Sequence, residues 1–498
     1  MHSSDPRAVL TANVKHLVEK EEQILVFLKS KRDAIQCALR LAKALRLPPA
    51  QEALQALEET VLKAQLRVAL TGGVALHHAD LTLEERALVE THYRRGGIRV
   101  LACTTTLAFG VNLPASTVFL EATKWSTDLR TGAALEVPLS WAEYENISGR
   151  AGRLGFQDRF GRAVLIAANQ FQADWLWRSY MMREHEHVTP APGQKGLVDR
   201  VLNLVASKIC LTAEEVQSFF ARTYLGFQRA KETETLAGDV EKMLAALVRG
   251  QLIRMDEEGR VEATTLGEVT ARKGVQAATA VKLARFFAAA GARKVSELEL
   301  LYLLSLTADG KRMYIPLSSA EHRSRLYEKQ VNQRLQENGY ELGEELQGLL
   351  QARMLPTAQE VRGAKLALLA VGWIAGEEIA ELEQHYQCYA GTIRTQMEQL
   401  SWLADAAAEI AQVMGWELAC RLNDLAERLQ LGVDTAGLMI ARTIPGARRA
   451  AIKAMVASGV ITPTTSSPAF ARGEQTPESP AKQVTADLQL PLFAPQSS

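Results

Sequence analysis

The sequence contains no GxxxxGK[ST] segment. It therefore lacks the loop whose backbone N–H groups, lysine and hydroxyl cradle a nucleotide's phosphates and bind Mg2+. No Asp-Glu-x-His box follows an apolar run. Cysteine is scarce: Cys37, Cys103, Cys210, Cys388 and Cys420 are scattered with no CxxC pair. This excludes a disulfide framework and a zinc site, and reads as reduced, cytosolic thiols. Lys, Arg or Glu interrupts every apolar run well before the length of about 18 residues that a membrane span needs. The opening MHSSDPRAVL has no basic-then-apolar leader, so a cytoplasmic location is expected. Net charge is also missing, with 57 Lys+Arg against 57 Asp+Glu. That rules out a basic coat for nucleic acid but leaves room for a local basic groove.

What is present is an ordinary globular composition, 47% hydrophobic over 498 residues, enough for several domains. The first 170 or so residues alternate apolar strands and helices. Gln23–Leu28, Ile98–Cys103, Thr117–Leu120 and Ala163–Ala167 read as strands, and Val74–Leu76 as a short apolar piece. Thr82–Arg95 reads as a helix with Thr82 as N-cap and Glu85 three residues on. The alternation predicts a parallel α/β layer. Beyond residue 170, three amphipathic helices (Leu197–Ile209, Ala213–Phe220, Leu236–Arg249) precede a strand–turn–strand at Leu252–Ala263, which is a winged-helix order. Ala277 to Leu431 is almost wholly helical, and an Ile444-Pro445-Gly446 turn follows. From Thr462 the Pro, Ser, Thr, Gln and Glu content predicts disorder. The expected units are 1–180, 195–275, 276–430, 431–463 and a tail over 464–498.

Three segments carry chemistry. Asn146-Ile-Ser-Gly149-Arg150-Ala-Gly-Arg153 places two guanidinium forks at i and i+3 among small residues, suited to phosphate oxygens or equally to a solvated loop. Thr104-Thr-Thr106-Leu-Ala-Phe-Gly110-Val-Asn112-Leu-Pro follows a strand, at the end where parallel sheets bind ligands. His77-His78 invites a metal reading, but adjacent strand side chains face opposite ways and no third ligand lies nearby; no metal is expected.

Taken in order, the Ile-Leu-Val-Phe strand, His-His-Ala, Thr-Leu-Ala-x-Gly-Val-Asn-Leu-Pro and Gly-Arg-Ala-Gly-Arg resemble the second RecA-like domain of superskiller-type helicases of superfamily two. The later domain order is similar to that of the HelQ-type DNA helicases. The resemblance implies an α/β RecA-like domain followed by mainly α-helical domains: winged helix, helical ratchet-like bundle and helix–hairpin–helix. It implies Arg150 and Arg153 as arginine fingers on the γ-phosphate, and Gly110, Asn112, Asn146 and Gly149 facing the nucleotide. Thr104, Thr106, Lys29, Ser30, His77 and His78 would flank the nucleic acid. Asn146 stands where a Gln is usual, and Asp80 replaces a usual Gly beside the expected phosphate track.

Trp125, between Lys124 and Arg130, falls where the resemblance places the duplex-splitting hairpin; it either stacks on a base pair or packs inward. Trp402 matches a stacking residue of the ratchet helix or belongs to the bundle core. The family's usual arginine precedes this Trp by seven; that position is Thr395 here, and Arg394 is eight before, about 80° off in azimuth at about 100° per residue. Arg448 and Arg449 adjoin the helix–hairpin–helix turn, where Arg448 replaces a usual Gly. Near the end, Gln489-Leu490-Pro-Leu492-Phe493 resembles the pentapeptide that docks bacterial DNA-processing enzymes on the sliding clamp, or else folds back on the chain itself.

The expectation is a C-terminal part or split subunit of an ATP-dependent DNA helicase, without the N-terminal RecA-like domain and inactive as an ATPase alone. ATP and Mg would bind only with a P-loop partner domain in trans. The substrate would be single-stranded or forked DNA, or RNA in its place. A non-catalytic DNA-binding adaptor and a winged-helix scaffold stay open as alternatives.

Overall fold

The structure is a computed structural model that describes residues 5–50, 59–108, 113–127, 134–152, 160–182, 196–228, 233–291, 293–338, 343–351, 356–417 and 419–459. Five parallel strands form the main sheet: β1 (Ile24–Leu28), β2 (Val74–His77), β3 (Val100–Thr104), β4 (Thr117–Glu121) and, at the far edge, a strand at Arg162–Ile166, in the order β2-β3-β1-β4-edge. β1, β2 and β3 are buried along their whole length. Helices cover both faces of such a layer, so its strands read as continuous apolar runs without polar alternation. The registers set Leu28 beside Thr104 and His77 beside Cys103. Because the strands are parallel, their carboxyl ends share one edge.

Between β4 and the edge strand the chain leaves the sheet as an antiparallel hairpin, β5 (Thr123–Thr127) and β6 (Ala134–Pro138); the edge strand is then β7. The predicted cap at Thr82 is present as a capping box over Leu83–Arg94. A second capping box, from Ser140 and Glu143, starts the Trp141–Ser148 helix. A helix at Pro6–Glu19 and one at Val61–Leu70 complete the layer; the latter absorbs Arg67–Leu70, which in the sequence is only a short apolar piece.

Among the described residues beyond the α/β layer, the elements are helices and one hairpin, β8 (Ile253–Met255) and β9 (Val261–Ala263). Gly259, at φ +75°, closes its turn, a backbone state that glycine enters without a Cβ penalty. A helix at Thr265–Lys273, which the sequence pattern does not announce, packs directly behind the hairpin. Buried apolar side chains from Leu197 to Leu429 form one contiguous core, so the expected boundary at 275/276 does not interrupt it. The α/β unit has its own core from Leu10 to Tyr180, and Val433, Leu438, Ile440 and Ile452 form a small third one. Among the described residues no helix is long and apolar enough to cross a membrane, and no group of three His, Cys, Asp or Glu is placed to hold a metal ion.

Candidate functional site

The shared carboxyl edge of the sheet gathers several of the expected residues. Thr104 ends β3 and its hydroxyl lies 2.9 Å from that of Thr106. The short turn they begin, Thr105–Ala108, packs against the Trp141–Ser148 helix. Asn146 and Gly149 are exposed at the end of that helix. Arg150 follows at once and is 5% exposed, close enough to Cys103 to act on it electrostatically. The backbone holds this loop: Ala115 N–H donates to Arg150 O at 3.0 Å, and Gly152 N–H to Ala115 O at 2.9 Å. The edge thus brings together Thr104, Thr106, Asn146, Gly149 and Arg150. Arg153, Gly110 and Asn112 lie outside the described residues. The exposed amide and glycine fit the outer face of a bound nucleotide.

Lys29 and Ser30, at the end of β1, are already engaged. Lys29 N–H donates to Glu121 at 2.8 Å, and its ammonium sits 3.1 Å from Glu136 on β6, which raises its pKa. Burial pushes the Glu121 carboxyl up. Ser30 is the N-cap of the Lys31–Leu45 helix, its oxygen accepting from Asp33 N–H at 3.1 Å.

The histidines depart furthest from expectation. His77 is 3% exposed and its Nε2 lies 3.0 Å from Glu90. His78 is fully buried, and its Nδ1 accepts from Asp80 N–H at 3.3 Å. Burial pulls its pKa down to about 4, against a raising effect from Asp80. Neither ring reaches a surface where a strand could lie, so the expected contact is corrected to a structural one. The reason lies two residues on, at Asp80. Asp80 takes a 2.6 Å bond from Lys31 and another from Thr392, on the Ala390–Val413 helix. Gly391 N–H donates to Asp80 O at 2.9 Å. A Cβ on Gly391 would stand 2.3 Å from that oxygen, so only glycine permits the approach. The carboxylate expected beside a phosphate track instead docks the helical unit on the α/β unit.

Sequence reasoning missed the rest of this seam. Glu383 accepts from Val61 N–H and from Ala390 N–H, each at 2.8 Å. Within the α/β unit, Thr60, next to Val61, donates to Glu85 at 2.8 Å. Arg394 pairs with Glu84 at 3.2 Å and is spent on the same contact. Only the glycine and threonine at the start of a long helix hint at it.

Trp125 stands on β5 opposite Glu136 and is 50% exposed; the inward-packing alternative does not hold. Trp402 is 38% exposed, with its indole N–H donating to Lys273 O at 3.0 Å. One edge of the ring is thus pinned to the end of the Thr265–Lys273 helix. Arg448 is exposed at the N-cap of the Arg449–Ala457 helix. Arg449 is corrected: its guanidinium lies 4.3 Å from the Trp373 ring and donates to Gly432 O at 2.8 Å and Glu377 O at 2.6 Å. A fork with two of its donors on carbonyls and its face on an indole clamps helices together. Gln489, Leu490, Leu492 and Phe493 lie outside the described residues.

Residues 8–155 match the helicase conserved C-terminal domain, and residues 298–432 match domain 4 of archaeal helicases. The chain is a homologue of superfamily two helicases of the superskiller type, over their C-terminal part. It is 29% identical over 433 residues to the ATP-dependent DNA helicase Hel308 of Methanocella arvoryzae, covering 84% of this chain and 56% of that protein. With the Hel308 of Caldivirga maquilingensis it shares 28% over 460 residues, 88% and 59% of the two chains. With that of Pyrococcus horikoshii it shares 26% over 425 residues, 84% and 56%. The chain thus spans somewhat over half the length of these Hel308 relatives. Both matched regions flank the Asp80–Thr392 seam, so the seam joins the helicase C-terminal domain to domain 4.

Proposed function

We propose that this chain acts as the nucleotide-capping and strand-gripping part of an ATP-dependent DNA helicase, completed by a P-loop domain that supplies the phosphate cradle and Mg2+. The observation that carries this reading is the sheet edge, where Thr104, Asn146, Gly149 and Arg150 converge while the sequence offers no Walker loop. Exposed groups at the carboxyl ends of parallel strands cap a ligand lying across that edge. Arg153 is assigned as the finger that meets the γ-phosphate, with Arg150 beneath the loop as its support. The hairpin with Trp125 and the exposed face of Trp402 meet the DNA strand, and the unit around β8 and β9 acts as a winged helix. The Gln489–Phe493 segment serves as a clamp-docking peptide, which titration of residues 480–498 against a bacterial sliding clamp tests.

The deciding experiment adds the P-loop half of a Hel308 relative and measures DNA-stimulated ATP hydrolysis. Neither part alone should turn over, and the pair should. Arg153→Ala should then lower turnover by about 10³–10⁵. A reconstituted pair indifferent to that substitution contradicts the finger assignment. DNA binding with no turnover in any pairing favours the adaptor.

A further inference from the structure

Away from the sheet edge, a groove of about 1050 Å³ runs between the Ala277–Ala290 helix, the end of the Thr233–Arg249 helix and the Gly343–Gln347 segment. Its described lining carries four cations, Arg249, Lys282, Arg285 and Arg293, against one carboxylate, Glu345. Two of the four are engaged: Lys282 lies 3.3 Å from Glu345 and Arg293 2.6 Å from Glu299. The other two are not. Arg249 and Arg285 are exposed, and among the described residues neither has an ion-pair or hydrogen-bond partner. Other cations of this unit, Arg272, Lys273, Lys365 and Arg428, pair with carboxylates. In a chain of zero net charge, two uncompensated guanidiniums on one ridge make a local positive field.

The ridge has a definite shape. Arg249 and Arg285 border both this groove and a second hollow of about 310 Å³ on their other side. Lys282 and Arg285, three residues apart, lie on one face of their helix. The opposite face, with Ala280, Leu283, Ala284 and Phe287, is buried in the core, where the helix packs against the one bearing Trp402. The groove is therefore separate from the Trp402 surface. The backbone N–H groups at the start of the helix are already taken, Gln276 by Asp309 at 2.9 Å and Ala277 by Asp199 at 2.7 Å. A small anion would find no cradle of donors here, whereas a chain of phosphates can lie along the ridge and be held by charge alone.

We propose that the Arg249–Arg285 groove binds the phosphate backbone of a DNA strand, independently of its sequence, as a second contact remote from the sheet edge. This rests on the DNA-binding reading above, which it extends to a named surface.

The test uses the full chain and a fluorescein-labelled forked DNA, with affinity measured by anisotropy from 50 to 200 mM NaCl. Replacing Arg249→Ser and Arg285→Ser together should weaken binding and flatten the slope of log K against log[salt] by about 1.4–1.8, the loss of two phosphate contacts. The double lysine variant should retain the wild-type slope. Arg95→Ser with Arg323→Ser, two exposed arginines elsewhere, should bind as wild type. Because Arg249 and Arg285 have no partners among the described residues, the serine variant should melt with the wild type. Wild-type affinity and slope in that variant would overturn the groove while leaving the DNA reading intact. Displacement of DNA by millimolar ATP, but not by NaCl of equal ionic strength, would also overturn it in favour of a small-anion site. Absence of salt-dependent binding by the wild-type chain would instead remove the DNA reading itself.

Discussion

The turn after β2 and the hairpin after β4 leave the same edge of one parallel sheet and reach opposite environments. At the turn, Asp80 receives a hydrogen bond from Thr392, 312 residues further along the chain, and His77 and His78 are closed off from water. At the hairpin, Trp125 stays half exposed, and its cross-strand neighbour Glu136 is balanced by Lys29. A buried polar turn is tolerated only when its groups find partners, and here the helical unit brings them. An exposed indole needs no such partner and keeps a face for stacking. Position at a sheet edge is thus not enough to make a residue a ligand contact; what the rest of the chain lays over it decides.

The comparison can be broken most forcefully at the seam. Gly391→Ala puts a methyl where Asp80 O stands 2.3 Å away, and should cost about 3 kcal/mol by forcing the backbones apart. Urea unfolding reads this. An unchanged midpoint would mean that the two units are not docked as described.

The same turn predicts a pH response. His78 is held neutral, with its folded pKa near about 4 against an ordinary 6.5. Between those values the unfolded chain binds the extra proton, so stability is lost as pH falls from 6.5 towards 4, by up to about 3 kcal/mol. His78→Asn should flatten that part of the stability–pH curve. An identical curve would show that the ring is not buried.

At the hairpin the expectation reverses. Trp125→Ala should leave the melting temperature in place and cost about 1–3 kcal/mol in forked-DNA affinity, the usual loss for one stacked base. A fall in melting temperature with unchanged affinity would reassign the ring to packing. The smallest effect belongs to Arg449→Ala. Losing the stack on Trp373 should lower stability by about 1 kcal/mol and leave DNA affinity alone. Weaker binding without destabilisation would return Arg449 to the DNA surface.

Much of the sheet is legible from the chain because β1, β3 and β4 are apolar runs bounded by polar turns, and Thr82-x-x-Glu85 announces its own cap. β2 is only four residues long, too short to show a period. The Thr265–Lys273 helix hides behind the β8–β9 hairpin. The candidate edge is legible where its residues are local, as with Asn146 to Arg150. It is not legible where partners are distant. Nothing near His78 foretells Thr392, and nothing near Arg449 foretells the Trp373 ring 4.3 Å away.

Amide hydrogen exchange on the full chain, with and without forked DNA, tests this division most directly. Exchange should slow on DNA addition in Thr123–Pro138 and around Trp402, and stay unchanged, and already slow, over His77–Glu85 and Cys388–Arg394. Protection appearing at the His77–Glu85 turn while the hairpin remains unaffected would contradict the account.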